Sequence, residues 1–511
     1  MGNTLHTVEH LNTINRSAGK RTLDCRRREI VGVAWGQMNF SKAHFIGIAG
    51  KGMSATALLL KEMGVAISGS DEGFYAPVSD YLKSANVAFA QGYRKENIPN
   101  DVDVIIIGKN AKLQPETNEE VRAAFASGKP VLSFADVLHE ITASSETIVV
   151  AGSYGKSTCT ALLAWCLRSA GKDPSYFIGE VTNGFEQYAH RGREPVFVLE
   201  GDEYPSSNWD NTSKFLRYNA KNVLLTSATH DHINIFPTHA DYLVPFRALL
   251  KSLPADGVLV ANGSEPHARA LARETGKATI FYSLDDRANW HAEKITRDSQ
   301  VAFDLMRGSE KIIRLSTQLL GNHNIENIVG VGAMLLEKRL LSPEELYAGV
   351  NSFIGVKRRM ELLSALSTVP VFEGFGSSYE KAKSAIAAVK LHFPDRRLMV
   401  VFEPHTFTWR NREAIAAYDN VFDGAAKILI YEPASQGAST HAQLTQKEIV
   451  ARVRSAKYDA EPIVDPHEAL QRLNGMLETD DVVLLLTSGE LGGLIKTIPK
   501  LAEQKYPSKA C

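Results

Sequence analysis

Short runs of β-branched and aliphatic residues alternate along this chain with longer stretches in which apolar positions recur at helical spacing. The runs at 148–151, 196–199 and 223–226 each lead into a polar or glycine-containing turn, as parallel strands do at their carboxyl ends. Similar alternation continues before residue 144 and after residue 356. The pattern predicts an α/β protein built on parallel sheets.

The 511-residue chain is too long for one ordinary core, so the alternation is divided into several units. We predict a disordered extension at 1–39, a Rossmann-like domain at 40–144, a central P-loop ATPase domain with a mostly parallel sheet at 145–355, and a Rossmann-like domain at 356–511. Met38 lies just before the first predicted strand and is an alternative translation start.

The strongest chemical signal follows the strand at 148–151. A turn and a helical pattern begin there with Gly152, Ser153, Tyr154, Gly155, Lys156, Ser157 and Thr158. Glycines let the backbone approach an anion, and the first helical amides point at it. In such loops the lysine reaches the β- and γ-phosphates and a hydroxyl binds Mg²⁺. We predict an ATP and Mg²⁺ site here; the alternative is an ordinary turn with a solvated lysine.

Polar groups follow two neighbouring strands at the same predicted sheet edge. Glu200 and Glu203 come after the strand at 196–199, and carboxylates combined with phosphate oxygens suit Mg²⁺. His230 and His232 flank an aspartate after the next strand, so this segment is either a metal site or a capped helix start.

Nucleotide-binding features also occur at the start of the first domain. A strand there leads into a glycine-rich turn at 47–54, and the next strand ends at Ser70 and Asp71, about 20 positions after the glycines. The glycine spacing is GxxGxG rather than GxGxxG. We therefore expect a nucleotide diphosphate rather than a nicotinamide cofactor.

The composition of the chain limits the classes of binding partner and the compartment that can be expected. Net charge is −1, with 57 basic and 58 acidic residues, which gives no reason to expect a nucleic acid partner. No apolar run approaches the roughly 20 residues that span a bilayer. The four cysteines show no CxxC spacing, which favours a reduced, cytoplasmic protein. Cys159 and Cys166 are predicted to share one buried helix face.

Taken together, these residues resemble the Mur ligases, the ATP-dependent amide-forming enzymes of bacterial cell-wall synthesis. Within the family, the chain is most similar to the murein peptide ligases and next to the alanine-adding ligases. The resemblance runs from about residue 44 to 493 and is carried by the motifs at 47–53, 69–71, 151–158, 200–204, 231–232, 321–327 and 358–361.

The resemblance implies that the first domain holds a UDP-linked sugar acid, the second holds ATP, and the third closes over both. The γ-phosphate would pass to the acid, and the amine of an amino acid or peptide would attack the acyl phosphate. We expect a monomer or weak dimer without a membrane span.

Family motifs also imply roles for individual positions. Catalytic roles fall to Lys156, His232 and His405. Besides the loop at 152–158, the residues implied to contact ATP are Asn324, Asn327 and Arg358. The residues implied to contact the UDP substrate are Gly50, Gly52, Met53, Ser70 and Asp71. Those implied to hold or orient Mg²⁺ are Ser157, Thr158, Glu200 and His232. From the residues alone, Asn324 and Asn327 either cap a helix predicted at 328–336 or bind a purine, and capping is the default.

Departures from the family pattern lie where the substrate is chosen. The family's paired aspartates, aromatic residue and paired histidines correspond to the segment 373–380, where one carboxylate and both histidines are missing. The Pro-His-Arg segment of the alanine-adding ligases ends here in Thr406. Lys381 and Lys383 are predicted to be surface lysines; the alternative is contact with phosphate or carboxylate.

Three functions therefore compete. The leading hypothesis is an ATP- and Mg²⁺-dependent carboxylate–amine ligase. The missing groups at 373–380 favour a second, a catalytically impaired nucleotide-binding paralogue that senses a cell-wall metabolite. A third, a P-loop kinase acting on a hydroxyl, is weakened by the two flanking α/β units.

Overall fold

A computed structural model describes residues 40–75, 78–180, 182–232, 235–285, 287–297, 300–432 and 443–508, with the side chain of Phe407 left out. The predicted extension at 1–39, including Met38 and Cys25, lies outside the described residues, as does Cys511. Three separate sheets follow one another along the chain. The predicted α/β architecture, with a Rossmann-like sheet on either side of a central P-loop unit, is confirmed.

The first sheet has five parallel strands in the order β3-β2-β1-β4-β5. Its strands are β1 (Lys42–Ile46), β2 (Ala66–Asp71), β3 (Ala88–Gln91), β4 (Val104–Ile107) and β5 (Val131–Leu132). The accompanying helices are α1 (Lys51–Glu62), α2 (Val78–Ser84), α3 (Glu119–Ala126) and α4 (Phe134–Thr142). The order reverses direction at β1, and the crevice at such a switch point is where open sheets bind ligands.

The second sheet has ten strands in the order β15-β14-β13-β12-β11-β10-β6-β9-β7-β8. They are β6 (Glu146–Ala151), β7 (Ser175–Phe177), β8 (Ala189–His190), β9 (Val196–Glu200), β10 (Asn222–Leu225), β11 (Leu259–Asn262), β12 (Thr279–Tyr282), β13 (Trp290–Arg297), β14 (Val301–Arg307) and β15 (Glu310–Thr317). Its helices are α5 (Lys156–Ser169), α6 (His239–Ser252), α7 (Pro266–Glu274), α8 (Asn322–Glu337) and α9 (Pro343–Ser352). The middle strands are parallel, and β13 to β15 form an antiparallel extension.

The third sheet has the order β16-β17-β21-β18-β19-β20, parallel apart from β16. Its strands are β16 (Arg359–Leu362), β17 (Val371–Phe375), β18 (Arg397–Phe402), β19 (Lys427–Tyr431), β20 (Ala460–Ile463) and β21 (Asp481–Thr487). Its helices are α10 (Tyr379–His392), α11 (Phe407–Arg410), α12 (Gln446–Ser455), α13 (Pro466–Met476) and α14 (Leu494–Lys505).

Contacts between the units bring their ligand-facing edges together. Asn208, in the loop after β9, donates its amide to the carbonyl oxygens of Asn110 and Leu113 in the first unit, each at 2.8 Å. On the other side, a Cβ added to Gly321 would come within 2.9 Å of the Cβ of Ala388 in α10. Helix α10 of the third unit is therefore in close contact with the start of α8 in the central unit.

One predicted helix start is wrong. Helix α8 begins at Asn322 rather than at 328, so Asn324 and Asn327 lie in its first turns instead of before it. The N-cap is Gly321, with φ of +89°, and the side chain of Asn324 donates to the carbonyl of Leu320 at 2.8 Å. That bond removes the reason to place the asparagine at the cap.

None of the helices in the described part of the chain is long and apolar enough to cross a membrane. Cys159 and Cys166 are both fully buried on α5 and unpaired, as their spacing predicted.

Candidate active site

The turn between β6 and α5 has the geometry of a phosphate loop. Gly152 has φ of +146°, and a Cβ there would lie 2.2 Å from the hydroxyl of Thr226. Gly155 is left-handed, with φ of +81°, and a Cβ there would lie 2.8 Å from Oδ1 of Asn327. The amide of Tyr154 donates to the hydroxyl of Ser227 at 2.8 Å. Both glycines are thus required for the loop's shape, and the amides at the start of α5 remain directed at the space beyond it.

Lys156, the first residue of α5, is paired with Glu203, which the sequence suggested only as one of two carboxylates for Mg²⁺. Its Nζ lies 3.0 and 3.2 Å from the two carboxylate oxygens of Glu203 and also donates to the carbonyl of Gly152. Burial alone would lower the pKa of Lys156, but the carboxylates of Glu203 and Glu200 raise it above its ordinary value. The lysine is therefore a fixed cation at the loop.

Ser157 and Glu200 form a neighbouring pair of oxygen donors. The Ser157 hydroxyl donates to Oε1 of Glu200 at 2.9 Å, and the amide of Gly179 donates to Oε2 at 2.7 Å. Burial raises the pKa of Glu200. A hydroxyl and a carboxylate beside a phosphate loop are the ligand types that Mg²⁺ takes, and a bound cation would offset the cost of this buried acid. Thr158, the next residue, is half-buried.

His232 belongs to the same cluster but not as a vacant ligand. Its Nε2 lies 3.2 Å from Oε1 of Glu203, and its Nδ1 lies 2.8 Å from the hydroxyl of Tyr204. His230 turns away and contacts the carbonyl of Phe236 at 2.8 Å. In the described part of the chain, no three histidine, cysteine or acidic side chains converge as a metal-binding group. The structure thus separates the two histidines, and His232 can orient groups through Glu203.

Glu203 is the centre of this arrangement, and sequence reasoning missed its role. Its side chain is 3% exposed. Burial would raise the pKa of this carboxyl, but Lys156 and His232 together lower it to about 2. The hydroxyl of Tyr242 also contacts this cluster, 3.3 Å from Oε1 of Glu203 and 3.0 Å from the hydroxyl oxygen of Ser153. The available signal was the run 200–203 itself, which did not reveal which acid faces the loop lysine.

A cavity of about 310 Å³ opens between the glycine turn of the first unit and the phosphate loop. A second ion pair stands in its wall, where Nζ of Lys214 lies 2.6 Å from Asp202 and 5.5 Å from the ring centroid of Phe134. The lining residues are Lys51, Gly52, Phe134, Lys156, Phe177, Gly179, Glu200, Asp202, Glu203, Tyr204, Lys214, Tyr218 and His232. Charged groups and aromatic rings thus converge on one space beside the loop.

Of the predicted UDP contacts, Gly52 lines this cavity, while Met53 is buried beneath the turn. Ser70 is fully buried and donates its hydroxyl to the buried Glu120 at 2.8 Å, so its side chain belongs to the interior. Asp71 accepts the amide of Ala49 at 2.8 Å. It thereby fixes the turn that contains Gly50.

Two of the predicted residues, Arg358 and His405, lie in the third unit and are not among the residues that line this cavity. Arg358, with φ of +64°, donates through Nε to Glu373 at 2.7 Å and through a terminal nitrogen to the carbonyl of Gly489 at 2.6 Å. His405 lies beside the same glycine, and its Nδ1 is 3.6 Å from Glu403. Arg358 is thus occupied within its own unit. The segment Pro433–Ala434, at the end of another strand, lies outside the described residues.

Family models match most of this architecture. The model described as "Mur ligase family, catalytic domain" matches residues 42–146, and "Mur ligase middle domain" matches residues 150–335. The UDP-N-acetylmuramate–L-alanine ligase of Paenarthrobacter aurescens is 30% identical over 89% of this chain and 96% of its own length. The chain therefore belongs to the Mur ligase family, whose members are ATP-dependent amide-bond-forming enzymes.

Other relatives lie in two branches of that family. The UDP-N-acetylmuramate–L-alanyl-γ-D-glutamyl-meso-2,6-diaminoheptandioate ligase of Escherichia coli is 27% identical over 72% of this chain and 80% of its own length. The crystal structure of a UDP-N-acetylmuramate–alanine ligase from Thermotoga maritima superposes with a TM-score of 0.72 at 20% identity, over 91% of this chain and 99% of that one. The prediction of an ATP-dependent ligase is confirmed, and nothing in these relatives supports a regulatory paralogue.

Proposed function

We propose that this protein joins the carboxylate of a UDP-N-acetylmuramate-type acid to the amine of an amino acid or peptide, with ATP as the source of energy. The observation that carries the proposal is the cluster of Lys156, Glu203 and His232 beside the Ser157–Glu200 pair, facing a cavity shared with the first unit. Related proteins named for UDP-N-acetylmuramate support the substrate class.

The first step transfers the γ-phosphoryl group. A carboxylate oxygen of the acid attacks the γ-phosphorus, and the bond to the bridging oxygen breaks, so that ADP leaves with the electron pair. Lys156 and the α5 amides neutralise phosphate charge and hold the reacting atoms in line. Ser157 and Glu200 would hold Mg²⁺, which supplies further charge neutralisation when bound, and Thr158 stands next to them.

The second step forms the amide. The amine nitrogen attacks the carbonyl carbon of the acyl phosphate, and the tetrahedral intermediate expels inorganic phosphate as the C–O bond breaks. We assign the departing amine proton to His405, whose Nδ1 lies 3.6 Å from the carboxylate of Glu403. Glu203 holds His232 and Lys156 in place through both steps.

Nucleotide contacts are divided among the units. Asn327, in contact with Gly155, and Asn324 border the phosphate loop, which supports their assignment to ATP. Arg359 is a better nucleotide contact than Arg358, because Arg358 is occupied by Glu373 and Gly489. The turn containing Gly50 and Gly52, with Met53 and Asp71 supporting it, is assigned to the UDP moiety.

We also propose a cytoplasmic monomer or weak dimer with domain boundaries at about residues 144 and 355. The buried, unpaired Cys159 and Cys166 support a reducing compartment. The gap between the β15–α9 segment and β16 supports the second boundary.

The direct test is ADP release by the full-length protein with UDP-N-acetylmuramate and a panel of amines containing alanine and a tripeptide with a free amino terminus. We expect turnover that requires ATP, Mg²⁺, the acid and one class of amine together. Turnover that is independent of the acid, or no ligand-stimulated turnover with any member of the panel, would contradict the proposal.

A further inference from the structure

The third unit presents three cations around one aromatic ring. The guanidinium carbons of Arg358 and Arg359 lie 5.5 and 4.9 Å from the ring centroid of Phe375, and Nζ of Lys381 lies 5.9 Å from it. Lys381 is in the first turn of α10 and is half-buried. The prediction of a solvated surface lysine is therefore wrong for Lys381, whereas Lys383, two residues later, is exposed.

Lys381 has no acidic partner among the residues that the structure describes. Its Nζ makes one hydrogen bond, to the hydroxyl of Ser377 at 3.2 Å, and no carboxylate of the described chain lies within 4 Å. Arg358, by contrast, is neutralised by Glu373. A half-buried ammonium with one neutral partner is suited to receive an anion.

The charge of Lys381 interacts with charged groups of the central unit. Burial lowers the pKa of Lys381, and the charges of Arg359 and of Lys156 in the phosphate loop lower it further. The carboxylates of Asp231 and Glu180 act in the opposite direction and raise it. Helix α10 lies close to the central unit, where Ala388 is next to Gly321. Lys156 belongs to the central unit and Lys381 to the third, and an anion bound between them would relieve their repulsion.

The surroundings of Lys381 explain one departure from the family pattern. The alanine-adding ligases have a Pro-His-Arg segment, and in this chain Thr406 stands at the position of the arginine. The hydroxyl of Thr406 donates to the carbonyl of Ser377 at 2.8 Å. The hydroxyl of the same Ser377 contacts Lys381. Lys381 thus supplies a cation beside the position from which the arginine is missing.

We propose that Lys381 binds the γ-phosphate of ATP from the third unit and keeps its contact with that phosphate in the acyl phosphate. The proposal rests on the proposed ligase function and adds a phosphate contact to it. Lys381 would bind an oxyanion in either case, and the alternative to the γ-phosphate is the carboxylate of the amine substrate. The absence of a carboxylate partner in the described residues, together with repulsion from the phosphate-loop Lys156, favours phosphate.

The test compares Mg²⁺ complexes of AMP-PNP and ADP, titrated by calorimetry against full-length wild type, Lys381→Gln and Lys381→Arg. The matched control is Lys383→Gln on the same helix. We expect Lys381→Gln to weaken the affinity for AMP-PNP about ten- to a hundredfold, which is the effect of one charge-assisted hydrogen bond. The affinity for ADP should stay within about twofold of the wild-type value. Lys381→Arg should recover most of the affinity, and the control should match wild type. Thermal unfolding midpoints establish that each variant folds.

Equal weakening of both nucleotides, or no change in either, would overturn the assignment. So would unchanged nucleotide affinities combined with a raised KM for the amine, which would assign the lysine to a carboxylate. Failure of the wild type to bind either nucleotide would instead contradict the proposed function itself, so the two failures are distinguishable.

Discussion

Two turns of this protein share one local pattern, in which a parallel strand enters a glycine-rich turn and a helix begins with lysine. In the central unit that lysine is Lys156, which is 16% exposed and paired with the buried Glu203. In the first unit it is Lys51, which is 55% exposed and reaches across to Glu180 of the central unit at 2.8 Å. The same position thus carries an internal cation in one turn and a surface cation in the other.

The difference originates in the neighbouring strands. Strand β2 ends at Asp71, whose carboxylate occupies an amide of the first turn. Beside the phosphate loop, β10 leads into Ser227, a neutral group that binds one amide of the loop. One amide of the first turn is therefore paired with a carboxylate, whereas the phosphate loop is lined by a hydroxyl and a buried lysine. The comparison teaches that the local pattern provides the amides, and the adjacent strand ends decide what they bind.

The largest effect is expected from Lys156→Ala. Phosphate charge would go unpaired in the transition state, so kcat for ADP release should fall by about a thousandfold or more. Lys51→Ala, at the equivalent position of the other turn, should leave affinity for AMP-PNP unchanged. Unchanged kcat in Lys156→Ala would remove the phosphate assignment, and loss of nucleotide affinity in Lys51→Ala would end the distinction between the turns.

The second effect concerns pH. The pKa of Glu203 is lowered from 4.5 to about 2, so the folded state gains stability above pH 4.5 that is lost as pH falls towards 2. The shift corresponds to about 3 kcal/mol of unfolding free energy. Between pH 6 and pH 3 only part of this stability is lost, so urea unfolding should show a loss that is smaller by about 2 kcal/mol in Glu203→Gln than in wild type. Equal losses in the two proteins would contradict the pairing with Lys156.

The third test substitutes one glycine in each turn. Gly155→Ala forces a left-handed alanine against Asn327 and should cost about 2 kcal/mol of unfolding free energy, together with ATP affinity. Gly50 has φ of −63°, and a Cβ added there would lie 3.5 Å from the nearest atom, the carbonyl oxygen of Gly47. Gly50→Ala should therefore cost less than about 1 kcal/mol of unfolding free energy. Denaturant unfolding measures both. Similar costs would mean that the phosphate loop is not the more constrained turn.

The smallest effect is expected from Tyr242→Phe. Removal of its bonds to Ser153 and Glu203 should raise the KM for ATP by no more than about fivefold. The hydroxyl of Tyr282 has no hydrogen-bond partner in the described part of the chain, so Tyr282→Phe is the matched control and should leave KM unchanged. A larger effect in the control than in Tyr242→Phe would contradict the role of Tyr242 at the loop.

Sequence patterns predicted the strands and turns because these depend on local periodicity. The strand at 196–199 and the phosphate loop lie where the pattern placed them. The pairing of Glu203 with Lys156 was not predictable, because contiguous acids after one strand give no indication of which turns inward. The burial of Lys381 was missed for a similar reason, since it depends on how α10 contacts the central unit.

The central claim is that the phosphate loop activates a carboxylate as an acyl phosphate before the amine attacks. The most direct measurement uses UDP-N-acetylmuramate labelled with ¹⁸O in its carboxylate, followed by mass spectrometry of the released phosphate. Passage through an acyl phosphate predicts one carboxylate oxygen in each phosphate formed. Phosphate that carries no label while amide accumulates would contradict the account.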